Sequence, residues 1–133
     1  MGGILAGEKC SAILTAGTHA TTFGGNPVSA AGAMEVLNQL SSDTLAKVSE
    51  KGEYIRDEIQ SWGLPVISGV RGKGLMIGVT LNGLAPKEAA QKCVDSGLLI
   101  LTAGSDALRM LPPLTITYDE IDKGLDILKS VLA

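Results

Sequence analysis

Residues 66–81 read Val66-Ile-Ser-Gly-Val70-Arg-Gly-Lys-Gly74-Leu-Met-Ile-Gly-Val-Thr-Leu81, and this stretch decides the fold. Val66–Val70 and Leu75–Leu81 are short, apolar and rich in β-branched residues, and Arg71-Gly72-Lys73-Gly74 between them reads as a tight connection. The pattern predicts two strands joined as a hairpin, with Arg71 and Gly72 shaping the turn. Helical periodicity flanks it on both sides. Upstream, Ser41-Ser42-Asp43 breaks one helix and caps the next, in which Leu45, Val48, Gly52, Ile55, Ile59 and Trp62 alternate three- and four-residue steps before Gly63 ends it. Trp62 closes that stripe as a core residue. Further back, Asn26-Pro27 is a helix start, a favoured N-cap followed by a residue pre-shaped for the first helical position. Ala30, Ala33, Met34, Leu37 and Leu40 then recur at helical spacing over 28–40, with small residues crowded into the first turns where they permit close packing. Residues 8–16 predict a short helix around Ile13 and Leu14.

Downstream, Pro86–Ser96 predicts a helix with Ala89, Ala90, Cys93 and Val94 inward and Gly97 at its stop, followed by candidate strands at Leu98–Leu101 and Leu108–Met110. The last helix has the clearest signature. Thr117 and Glu120 form a capping box, Ile116 and Ile121 sit at the staple positions, and Ile121, Leu125, Leu128 and Leu132 make the buried face. Two long helices, then strand, strand, helix, strand, strand, helix describe an α+β chain whose helices cover one face of a small, mainly antiparallel sheet. Residues 63–133 are expected to form the compact α+β unit, 28–62 the connecting helices. Residues 1–27 offer few apolar anchors and many glycines.

The whole chain has 133 residues, 45% of them apolar and 19% charged, which suits one domain with a real core and excludes a disordered chain. Eleven Lys and Arg against fourteen Asp and Glu leave a net charge of −3 with no basic cluster, so nucleic acid and anionic membrane surfaces are not expected partners. The apolar runs fall far short of the roughly 20 residues that span a bilayer, and a soluble, cytoplasmic protein is expected. Cys10 and Cys93 match no metal or redox spacing and read as small reduced residues. Glycine occupies 17 positions without repeat or low complexity, so the glycines serve local backbone geometry.

The segment Gly17-Thr-His-Ala-Thr-Thr-Phe-Gly-Gly-Asn26-Pro27 places hydroxyls and bare backbone directly before a helix N-terminus, a setting suited either to an anion or to plain capping. His19, the sole histidine, reads as a hydrogen-bonding residue of this loop.

His19-Ala-Thr-Thr-Phe-Gly-Gly-Asn-Pro27, Arg71-Gly-Lys-Gly-Leu-Met-Ile-Gly78 and Leu108-Arg-Met-Leu-Pro-Pro-Leu114 resemble, in the same order, three blocks of the class III pyridoxal-phosphate aminotransferases, the ornithine and acetylornithine group. The resemblance is greatest to the acetylornithine branch and extends over essentially all 133 residues, corresponding to the last third of a family member. It implies the C-terminal small domain of a fold-type I aminotransferase, with residues 1–27 as the tail end of the cofactor-binding large domain. It implies pyridoxal 5'-phosphate as cofactor, amino acid and 2-oxo acid substrates, and a homodimer or larger homo-oligomer. Within that pattern Thr22, with Thr21 beside it, matches the threonine that reaches the cofactor phosphate of the neighbouring subunit, and Arg109 matches the arginine that binds the substrate α-carboxylate by a bidentate, charge-assisted pair. The Schiff-base lysine that such an enzyme needs is expected upstream of Met1, which also explains the capless opening Met1-Gly-Gly. Lys9, Lys47, Lys51, Lys87, Lys92, Lys123 and Lys129 read as solvated surface, Lys73 as part of a turn, and no catalytic residue is expected in this chain. It should therefore be inactive by itself. The parent reaction implied is amino transfer from N-acetylornithine to 2-oxoglutarate in arginine biosynthesis. Alternatives are an ornithine or 4-aminobutyrate aminotransferase as parent, and a noncatalytic α+β dimerisation or interaction module.

Overall fold

A computed structural model describes residues 2–133, which divide into two compact units, one ending at Ser41 and the other comprising Ser42–Ala133. The first unit holds α1 (Glu8–Ser11) and α2 (Pro27–Gln39), separated by turns. α2 starts where Asn26-Pro27 predicts: the Ser29 amide donates to Asn26 Oδ1 at 3.1 Å, and Pro27 occupies the first turn. It buries none of its residues. α1 is one turn rather than a helix over 8–16. Ile13 and Leu14 stay exposed, and a short helix without an apolar surface to pack on is not stable in water.

The second unit holds α3 (Ser42–Ser61), β1 (Ile67–Lys73), β2 (Met76–Leu81), α4 (Pro86–Asp95), β3 (Leu101–Ala103), β4 (Ala107–Met110) and α5 (Tyr118–Leu132). Its four strands form one antiparallel sheet in the order β1-β2-β4-β3. Ile77, Val79 and Leu108 on the sheet, Ile55 and Ile59 on α3, Ala89 and Cys93 on α4, and Ile121, Leu125, Leu128 and Leu132 on α5 form a single core. The helices thus cover one face of the sheet, as the α+β reading expects. Burial pushes the Cys93 thiol up, as befits a packing residue rather than a reactive one; Cys10 is exposed and free.

Three local expectations are corrected. Arg71, Gly72 and Lys73 belong to β1 and pair with Gly78, Ile77 and Met76, so the turn shrinks to Gly74-Leu75. Gly74 takes φ +52° there, a left-handed conformation that glycine adopts without strain. Leu98–Leu101 is not a strand, because α4 ends in a Schellman motif that uses Leu98: its amide donates to Cys93 O at 2.8 Å and the Gly97 amide to Val94 O at 3.0 Å, with Gly97 at φ +91°. The sheet begins again only at Leu101. Val94, expected inward, is exposed.

α3 lies so close to the hairpin turn that a Cβ on Gly52 would stand 2.1 Å from the carbonyl oxygen of Gly74. A polar seam joins α3 to α5. Lys51 Nζ donates to the Ile116 carbonyl, so this lysine is not simply solvated; nor is Lys129, which lies over the Trp62 ring at 5.7 Å. The capping box is complete, the Thr117 amide donating to Glu120 Oε2 at 2.8 Å and the Glu120 amide to Thr117 Oγ1 at 3.3 Å.

The Tyr54 hydroxyl donates to Asp122 Oδ1 at 2.7 Å, and its ring meets Tyr118 edge to face at 5.3 Å. The hydrogen bond to a carboxylate holds the phenol protonated and pushes its pKa up to about 12. The folded value lies above the unfolded one, so this contribution to stability is complete below pH 10 and is lost as pH rises through about 12. Absorbance titration at alkaline pH should show one of the two tyrosines ionising late, and Asp122→Ala should bring its midpoint down towards the usual value; an unchanged titration curve contradicts the assignment.

Candidate functional site

β4 carries Arg109 between Gly78 of β2 and Leu101 of β3. Leu108 before it is buried and Met110 after it packs against the core, so strand alternation turns Arg109 to the opposite face of the sheet. There its guanidinium is exposed and pairs with no carboxylate among the described residues. A bidentate fork held on a central strand and left unpartnered is a fit receptor for a ligand carboxylate.

Arg109 borders two pockets. One, of about 640 Å³, is walled by apolar side chains such as Leu98, Leu111, Pro112 and Ile116, with Arg109 and Glu120 its only charged lining residues. Glu120 is already committed to the cap: the hydrogen bonds from Thr117 draw its carboxyl below the ordinary range. It forms no ion pair with Arg109 among the described residues. The other pocket, of about 320 Å³, lies against the sheet face and is lined by Arg71, Lys73, Met76, Gly78, Ala103 and Arg109 among others, with no acidic residue.

Thr21 and Thr22 lie in the first unit, in the turns that precede α2, and both are exposed. The Gly24 amide donates to Thr21 O, and a Cβ on Gly24 would stand 2.3 Å from Thr21 Oγ1, so this glycine makes room for the hydroxyl. Gly25 follows at φ +71°. The loop thus presents hydroxyls and bare backbone without a cation. That donor set fits a supplementary hydrogen-bonding contact to a phosphate, not its main anchor. His19 is exposed in the same loop.

Arg71, read from the sequence as a turn residue, sits in β1 opposite Gly78 and lines the same pocket as Arg109. Its placement in β1 was available from alternation, because Val70 and Gly72 fall on the core side while Arg71 and Lys73 fall on the other; the glycines around it masked this. Among the described residues, no group of His, Cys, Asp and Glu is arranged to hold a metal ion, and no helix is long and apolar enough to cross a membrane.

The sequence profile of the family described as Aminotransferase class-III matches residues 1–132. Acetylornithine aminotransferase of Bifidobacterium longum is 38% identical over 133 residues, covering 98% of this chain and 31% of its own length. The enzyme of the same name from Lactococcus lactis is 40% identical over 135 residues, covering 98% and 36%. Among solved structures, N-acetylornithine aminotransferase from Stenotrophomonas maltophilia superposes with a TM-score of 0.74 at 38% identity, over 81% of this chain and 31% of that one. Ornithine aminotransferase from Toxoplasma gondii does so with 0.76 at 31% identity, over 91% and 30%, and was crystallised with pyridoxal phosphate partly occupying its active site. The chain spans about a third of the length of the curated relatives it matches.

Proposed function

The chain belongs to the class-III aminotransferases, and on that premise we propose that it is the C-terminal part of an acetylornithine aminotransferase, a cytoplasmic homodimeric enzyme that moves the amino group of N-acetylornithine to 2-oxoglutarate. The observation that carries this reading is Arg109, an unpaired guanidinium on a central strand at the mouth of two pockets. It is supported by relatives of that name aligned over nearly the whole chain.

In this reading Arg109 holds the α-carboxylate of donor and acceptor in turn through its planar fork. That fixes the substrate's orientation before any proton moves. Thr22, with Thr21 beside it, donates a hydroxyl hydrogen bond to the cofactor phosphate of the neighbouring subunit. When bound, pyridoxal 5'-phosphate supplies the electron sink for amino transfer. Residues 63–133, together with α3, serve as the small domain and 1–27 as the edge of the large one. None of the lysines here is proposed as the Schiff-base residue, so the 133 residues alone should not transaminate. The structural likeness to ornithine aminotransferase keeps ornithine as the second candidate donor.

Steady-state kinetics of the complete enzyme test the reading, with kcat/KM expected to be highest for N-acetylornithine against ornithine and 4-aminobutyrate; preference for either of the others overturns the donor assignment. Thr22→Ala removes one hydrogen bond to a charged group, about 1.5–3 kcal/mol, and should weaken cofactor retention roughly ten- to hundredfold. Equilibrium dialysis of the cofactor measures this directly, and retention equal to the parent's excludes the role.

A further inference from the structure

We propose that Asn82 is a self-modification site, at which the backbone nitrogen of Gly83 expels the side-chain amide as ammonia and converts the residue, through a cyclic imide, to aspartate and isoaspartate. Asn82-Gly83 lies in the short connection between β2 and α4, and both residues are exposed. Ring closure needs an N–H that is not spent on a hydrogen bond, room around it, and a peptide unit free to turn. All three are present. The Gly83 amide donates no hydrogen bond among the described residues. No atom lies within 4 Å of the position that a Cβ on Gly83 would take, and its φ of +78° is one that glycine adopts without strain. The Asn82 amide donates to Val66 O at 2.8 Å, and the next backbone hydrogen bond along the connection among the described residues runs from the Ala89 amide to Ala85 O. The peptide between Asn82 and Gly83 is thus unpinned between two fixed ends, in a stretch that opens at little cost.

The sequence holds two other asparagines, and the same route is closed at each. Asn26 precedes Pro27, whose nitrogen carries no hydrogen to give up, and its Oδ1 accepts from the Ser29 amide. Asn38 lies inside α2, where the amide of the following residue belongs to the helical ladder. At Asn82 the step balances without a cofactor or an oxidant. A bond forms between Gly83 N and Asn82 Cγ, the Cγ–Nδ2 bond breaks, and the proton from Gly83 leaves with that nitrogen as ammonia. Water then opens the imide. Opening at the side-chain carbonyl gives aspartate; opening at the main-chain carbonyl gives isoaspartate, which routes the main chain through Cβ and lengthens the link between β2 and α4. Either product makes the net charge of −3 more negative.

The test incubates the 133-residue chain at mildly alkaline pH, folded and in urea, and follows it by peptide mass spectrometry. A parallel sample contains hydroxylamine, which cleaves the main chain where an imide has formed. The folded chain should gain the mass difference between amide and acid at Asn82, with isoaspartate identified by fragmentation, and hydroxylamine should release residues 1–82 and 83–133. Because the connection opens at little cost, the folded rate should lie within about tenfold of that in urea. Gly83→Ala places a Cβ beside the attacking nitrogen and should slow the conversion roughly tenfold or more. Asn82→Gln keeps an amide but would need a larger ring, and should abolish the cleavage. A folded rate more than about tenfold below that in urea, or a smaller effect of Gly83→Ala, overturns the proposal. So does conversion at Asn38 as fast as at Asn82, or cleavage that persists in Asn82→Gln.

Discussion

Gly52→Ala is expected to destabilise the second unit by about 3 kcal/mol, although alanine is the better helix former by about 1 kcal/mol. The added Cβ would stand 2.1 Å from Gly74 O and 2.5 Å from Gly74 C, well inside contact distance. The overlapped atoms are backbone, in a turn held at φ +52° by Gly74, so no side-chain rotation relieves the clash. Overpacking at a yielding site costs about 1–3 kcal/mol, and this site does not yield. For a unit of this size the loss lowers Tm by roughly 12–24 °C. Gly124→Ala is the internal control: on α5 its Cβ would meet only Leu98 Cδ1 at 3.6 Å, an ordinary contact, and the helix-propensity gain should leave Tm unchanged or higher. Thermal unfolding of the two variants should therefore diverge in sign; a Gly52→Ala variant as stable as its parent means that α3 does not rest on the hairpin turn.

On the proposed function, Arg109→Ala in the complete enzyme should raise KM for both the amino donor and 2-oxoglutarate by a hundredfold or more. Two hydrogen bonds to a charged group are lost together, on the order of 3 kcal/mol or above. Arg109→Lys keeps the charge without the fork and should fall between, roughly tenfold above the parent. Because Arg109 is exposed and touches no buried partner, neither variant should move stability by more than about 0.5 kcal/mol, and cofactor binding should stay at the parent's level. Unchanged KM values for both substrates would remove Arg109 from the site.

Local signals carried most of the fold. The stripe Ile121, Leu125, Leu128 and Leu132 is buried as its spacing predicts, and the Thr117–Glu120 box closes as its residue types require. Two kinds of information were not local. Leu98 looks like the first residue of a strand because it is apolar and followed by apolar residues, yet its amide is spent on the end of α4. Gly52 reads as one step of an apolar stripe, and nothing around it in the chain announces the backbone of Gly74 passing against it. The site follows the same division. Pattern alone makes Arg109 a solvent-facing arginine on an edge strand, but β4 lies inside the sheet, where only tertiary structure puts Gly78 and Arg71 beside it.

The sheet order leaves β1 and β3 as its two borders, and each border is unattractive to a foreign strand for its own reason. β3 is three residues long, too short to template a stable intermolecular ladder. β1 is longer, but its register is interrupted between Ile67 and Gly69 and it ends in Arg71 and Lys73, an irregular, positively charged rim of the kind that natural sheets use against fibril growth. Straightening that irregularity while neutralising Arg71 and Lys73 would turn the hairpin into an aggregation seed.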